Sequence, residues 1–409
     1  MSGSLCACED RISSLHGSRA TDMVRHMSVK ADAPQQAKNT QQFGSVIRAE
    51  FPLLIGLASA AISLAMGSRL NEATTHVVPL VGAFVWLFAV ILWSALCVVR
   101  HADCLAIKLG EPYGTLILTL SAISIEVVMI STAMLHGANN PTLGRDAIFA
   151  VIMIALGGLV GLSLLLGGLR YREQHYNIQG VNAYLNVIMA LAVLGLVFPN
   201  FTVSTSGPTF STEQGIFFAA VSLLLYAIFL LIQTLRHRGY FLDLQESAIK
   251  HSPQHLPRVR STGFHGLMLL LYLLAVILLA EKFAIPLDNS IETFGMPQAF
   301  GGAVIAALVL SPEGLGGITA SLHNQLQRSI NILFGSVLAT IGLTIPAVLV
   351  IGLITKRPVA LGLQGGNLPL LLLTLAVSVV TFTSRKTNVF QGCIHLLLFA
   401  VFVLLIFAP

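Results

Sequence analysis

Eleven apolar runs, each about as long as a bilayer is thick, decide what this chain can fold into. A hydrocarbon core of about 30 Å needs about 20 helical residues to cross it. The runs fall at residues 52–68, 77–99, 113–135, 147–169, 181–199, 214–235, 263–281, 296–322, 329–354, 367–384 and 389–408. Composition agrees, with 55% hydrophobic and 10% charged residues and a mean hydropathy of +0.82, against about 25% charged in a soluble domain. The expected fold is an all-α polytopic membrane protein with about eleven transmembrane helices.

The formal charge of +5 informs through its placement, because Lys and Arg collect in cytoplasmic loops. With the N-terminus cytoplasmic, the inside loops hold Arg100, Lys108, Arg170, Arg172, Arg236, Arg238, Lys250, Arg258, Arg260, Arg328, Arg385 and Lys386, and the outside holds Arg69, Arg145, Lys282, Lys356 and Arg357. Twelve against five sets the N-terminus inside and the C-terminus outside.

Residues 1–45 lack an apolar signal core and read as a disordered cytoplasmic tail, with Met23 and Met27 as alternative starts. Cys6 and Cys8 in that tail could hold a metal, but the five cysteines make no framework. Residues 236–262 form a basic cytoplasmic linker; its histidines, His237, His251 and His255, read as solvated rather than as ligands. The linker divides a leading helix and first repeat, 46–235, from a second repeat, 263–409.

The repeat is visible when GTLILTLSAISIE, residues 114–126, is set above GGAVIAALVLSPE, residues 301–313. Both begin with Gly, run apolar and end Ser-x-Glu; Leu135-His136 then falls opposite Leu322-His323, and Arg145 near Arg328. Upstream, Asp103 and Glu111 precede the first motif as Asp288 and Glu292 precede the second. Two halves of five spans behind one leading helix must lie in opposite orientations, since five is odd. This is an inverted repeat.

Of the 18 acidic residues, only Glu126 and Glu313 fall well inside spans. A carboxylate at the bilayer centre costs about 2.5 to 3.5 kcal/mol on insertion scales, so such residues are functional by default. Glu126 lies about 18 Å into its helix at about 1.5 Å per residue, near the midplane, and Glu313 at a similar depth. Two repeats that each deliver one midplane carboxylate describe one shared site. Pro312 is expected to kink its helix and free carbonyl oxygens for a cation. Ser124 and Ser311 add hydroxyls, although a two-residue offset turns them about 200° from their glutamates on an ideal helix. Gly301, Gly302, Gly314, Gly316 and Gly317 allow close packing around the site.

Oxygen ligands suit a hard cation such as Ca²⁺, or Na⁺ or K⁺. Two close carboxylates in a low dielectric resist ionising together, so protons and cation compete for the same oxygens. Mutual exclusion at a site that faces either side in turn is antiport, and two protons balance one Ca²⁺. No cofactor or nucleic-acid partner is expected; the partners are transported ions and the bilayer. For His136 and His323, about 15 Å along the helix from each glutamate, a proton relay and an ordinary interfacial histidine are equal readings. Asp103, Glu111, Asp288 and Glu292 read either as a cation entrance or as solvated charges, with Glu281 in the same position.

RHADCLAIKLGEPYGTLILTLSAISIEV and LSPEGLGGITASLHNQLQRSINILFGSVLATIGLTIPAV resemble the two signature regions of the ChaA-type calcium/proton antiporters of bacteria, within the cation/calcium exchanger superfamily. The resemblance spans residues 45–409. It implies an inner-membrane exporter of Ca²⁺, and in some members of Na⁺ or K⁺, in exchange for protons, with Glu126 and Glu313 as transport glutamates. Many relatives carry G-N-x-x-E where this chain has Ser-Ile-Glu and Ser-Pro-Glu, which leaves the cation open. A channel is the competing class. An intramembrane metalloprotease would need a ligand cluster such as H-E-x-x-H, which the sequence lacks.

Overall fold

The computed structural model describes residues 50–109, 113–136, 141–241 and 261–408. The tail at 1–45 and all but the ends of the linker lie outside the described residues. Chain contacts separate a large body, residues 52–252 with 261–409, from a small unit, 1–51 with 253–260. Of the small unit only Glu50 and Phe51 are described; the helices beyond Phe51 belong to the large body.

Eleven long helices are described: α1 Phe51–Met66, α2 Val77–Leu109, α3 Tyr113–His136, α4 Leu143–Tyr171, α5 Ile178–Phe201, α6 Thr212–Arg236, α7 Thr262–Phe294, α8 Ala299–Leu322, α9 Leu326–Thr355, α10 Asn367–Thr381 and α11 Val389–Phe407. Their outward faces keep large apolar side chains such as Trp86, Phe217, Leu270 and Leu397 exposed, as a lipid solvent requires. Two helices outrun their apolar runs. α2 and α7 each span 33 residues, because a buried stripe continues past the apolar stretch, through His101, Ala102 and Leu105 in α2 and through Phe283, Ala284, Leu287 and Ser290 in α7.

Helices α2–α6 and α7–α11 repeat one another element by element. The first three pairs match in length, 33 and 33, 24 and 24, 29 and 30 residues. In each half the third helix carries a π turn, Met153–Leu159 in α4 and Thr340–Thr344 in α9. The fifth helix of each half opens with a capping box: Ser211 and Asn388 accept backbone N–H bonds from Gln214 and Gln391, whose side chains accept from the cap backbones in return.

The loops confirm the inversion. Gln174–His175, after α4, pairs antiparallel with Lys386–Thr387, after α10, while Ala360, after α9, bridges Thr209, after α5. The loop between the third and fourth helices of each half thus pairs with the loop between the fourth and fifth of the other, once at each end of α5. Lys386 also reaches Glu173 at 2.8 Å and holds that exposed carboxyl below the usual carboxylate range.

The helix break expected at Pro312 is absent. α8 runs unbroken through Pro312, since a proline removes a single ladder bond and the turns on either side persist. The ladder slips elsewhere, at the π turns of α4 and α9, where an extra residue per turn re-aims side chains and frees carbonyls.

Candidate functional site

Glu126 is buried in the middle of α3 at 4% exposure. Its partner comes from the other half: Thr340, which opens the π turn of α9, donates from Oγ1 to Glu126 Oε2 at 2.7 Å. Thr344, one turn further along the same face, is also fully buried. Glu313, on α8, is close enough to Glu126 to interact with it electrostatically. Glu126 Oε1, Glu313 Oε2 and Thr344 Oγ1 are buried with no hydrogen-bond partner among the described residues. A buried carboxyl oxygen without a protein donor has capacity for a proton, a water or a cation.

Close packing creates this geometry. A Cβ at Gly314, next to Glu313, would lie 2.9 Å from Leu159 of the α4 π turn, and one at Gly317 would lie 2.9 Å from Leu333 of α9. Thr340 thus reaches Glu126 from the π turn of α9, while the π turn of α4 packs against α8 at Gly314, the residue after Glu313. The two turns differ in chemistry: Thr340 supplies a hydroxyl to Glu126, whereas Met153–Leu159 has no side-chain oxygen.

The serines lie differently from expectation. Ser124 is exposed and its hydroxyl donates to Leu120 O at 2.6 Å; Ser311 donates to Ala307 O at 2.5 Å. Each bonds back one turn along its own regular helix, so the local distortion that would bring it round to its glutamate is absent. His323 is exposed at the C-terminal end of α8, its Nδ1 2.8 Å from Thr319 O. Glu111 and the side chain of His136 lie outside the described residues. Asp103 is exposed on α2 and interacts electrostatically with Glu313 and Arg328. Asp288 holds the matching place, 26 residues after the first residue of α7 as Asp103 is in α2; Glu292 is exposed one turn beyond it.

Residue typing missed Thr340 and Thr344. Their signal was a Thr-x-x-x-Thr pair inside an apolar run, four residues apart and so on one helical face. Among the described residues no group of three or more His, Cys, Asp and Glu side chains could hold a metal ion. Any cation here would be held by carboxylate, hydroxyl and carbonyl oxygens.

The sequence profile described as sodium/calcium exchanger protein matches twice, over residues 79–235 and 264–408, the two halves of the repeat. The chain is 42% identical over 320 residues to the sodium-potassium/proton antiporter ChaA of Escherichia coli (strain K12), covering 78% of this chain and 87% of that one. It is 25% identical over 311 residues to the Ca²⁺/H⁺ antiporter of Aphanothece halophytica, covering 71% and 81%. Among solved structures, native YfkE superposes with a TM-score of 0.67 at 17% identity, over 88% of this chain and 100% of that one.

Proposed function

The chain belongs to the sodium/calcium exchanger protein family, and from that premise we propose that it exports Ca²⁺ in exchange for protons through a midplane site shared by Glu126 and Glu313. It is a polytopic cation/proton antiporter, not an enzyme; the cation and the residues are our reading. The observation that carries it is the buried hydrogen bond from Thr340 to Glu126, which joins opposite halves of an inverted repeat, with Glu313 within electrostatic reach. The Thr340 hydroxyl occupies one Glu126 oxygen and leaves the other, with Glu313 Oε2, for the ions. When both carboxylates are ionised their repulsion in a low dielectric favours a divalent cation between them. When protons neutralise them the cation leaves. Exclusive occupancy in alternating-access states couples the two fluxes. The excess of Lys and Arg on one set of loops supports a cytoplasmic N-terminus, and the similarity to an Escherichia coli antiporter supports a bacterial inner-membrane location.

A second substrate reading rests on the 42% identity to a sodium-potassium/proton antiporter: Na⁺ or K⁺ taking the same oxygens. Everted vesicles carrying an imposed pH gradient distinguish the two. We expect Ca²⁺ to collapse the gradient at lower concentration than Na⁺ or K⁺; a response to the monovalent ions alone would change the substrate and keep the site. A cation current with no proton movement would make the protein a channel.

Removing the Thr340 hydroxyl has a separable consequence. A hydrogen bond to a charged group contributes about 1.5 to 3 kcal/mol. Thr340→Val should therefore raise the half-saturating cation concentration about tenfold or more, whereas Ser124→Ala, which removes an outward-facing hydroxyl, should leave it within about twofold. Equal effects from the two substitutions in the vesicle assay would place Thr340 outside the site.

A further inference from the structure

His395, on α11, is fully buried and plays no part in the exchange chemistry above. Its Nδ1 lies 2.7 Å from Leu156 O and its Nε2 lies 3.1 Å from Thr381 Oγ1. A carbonyl only accepts, so the ring carries its proton on Nδ1 and the Thr381 hydroxyl donates to Nε2. Leu156 sits in the π turn of α4. There Val160 N–H, which a regular α-helix would give to Leu156 O, goes instead to Ala155 O and Gly157 O. The imidazole N–H replaces the donor that the slipped ladder withdraws. Glycines make room for it: a Cβ at Gly161 would lie 3.0 Å from His395 Cβ, and one at Gly157 would lie 3.4 Å from His395 O.

This π turn packs through Leu159 against Gly314, the residue after Glu313, and it has no side-chain oxygen to offer. Whatever it contributes to a cation beside Glu313 is backbone carbonyl, and which carbonyls point inward depends on the register of the turn. We propose that His395 is a positioning residue: by binding Leu156 O it fixes the π turn of α4 in the register that completes the cation site at Glu313. The inference rests on the antiport reading for its effect on transport, but its structural half stands apart from that reading.

The test compares His395→Asn, whose side-chain N–H can take the place of Nδ1–H, with His395→Gln, whose amide reaches toward Thr381, and His395→Leu, which has no donor. Two quantities are read. One is the half-saturating cation concentration against maximal rate in vesicles; the other is hydrogen exchange of peptides covering residues 153–160 in the purified full chain. We expect Leu and Gln to raise half-saturation about tenfold and to speed exchange over the turn, with Asn within about twofold of wild type on both, the size expected for one hydrogen bond of about 1.4 kcal/mol. Should the Leu variant fail to accumulate, the Asn and Gln pair decides alone. Asn and Gln behaving alike, or a turn protected equally in all variants, would overturn the proposal. A wild type with no cation–proton exchange would remove the antiport reading instead, and the hydrogen-exchange comparison would still judge the role of His395.

Discussion

Glu126→Gln and Glu313→Gln will each abolish cation-dependent collapse of a pH gradient while leaving the protein folded and in the membrane. Glutamine keeps the length of the side chain and an oxygen that can accept the Thr340 hydroxyl, so packing around α3 and α9 should hold. What it loses is the negative charge and the exchangeable proton. Withdrawing one partner from a buried charge contact costs about 2 to 5 kcal/mol, so cation affinity should fall by about thirtyfold or more. Proton coupling should vanish with it, because an amide does not titrate in the working range. Each substitution should be sufficient, since the two carboxyls interact and form one site rather than two. The measurement is the vesicle assay normalised to the amount of folded protein. Normal exchange in either variant would mean that the midplane carboxylates are structural.

The second large effect is steric. At Gly302, near the start of α8, a Cβ would lie 2.7 Å from Ala147 N and 2.8 Å from Asp146 C. These are backbone atoms, which cannot rotate aside as a side chain can, so α8 and the start of α4 must separate to admit valine. Asp146 there bonds Arg145 at 2.9 Å and Thr142 at 2.9 Å, and Arg145 reaches Gly362 O, so the displacement breaks a half-buried network as well. Overpacking costs about 1 to 3 kcal/mol, occasionally more, against a total stability of about 5 to 15 kcal/mol. Gly302→Val should lower the melting temperature by several degrees or prevent accumulation. Gly82→Ala, where nothing lies within 4 Å, should leave it unchanged or slightly raised. A Gly302→Val protein melting with wild type would show that the two helices can part without cost.

The sequence by itself determined the membrane solvent, the eleven spans, the inverted repeat and the two glutamates at its centre. All of these follow from what hydrocarbon forbids: exposed backbone, and charge without purpose. A carboxylate in an apolar run stands out among residue types because the bilayer makes it costly wherever the chain folds. The fold decided the rest. Ser124 and Ser311 match in the repeat, yet their hydroxyls bond back to their own helices. Pro312, the conspicuous helix breaker, leaves α8 whole, while slips occur in Met153–Leu159 and, two residues before Pro346, in Thr340–Thr344. The π turn of α4 is held from another element, His395 binding Leu156 O. Such stabilisation comes from residues more than two hundred positions away in the chain, so no local pattern records it. Thr340 reached Glu126 by the same route: its type was legible in the sequence, and its direction was set by the packing of one half of the repeat against the other.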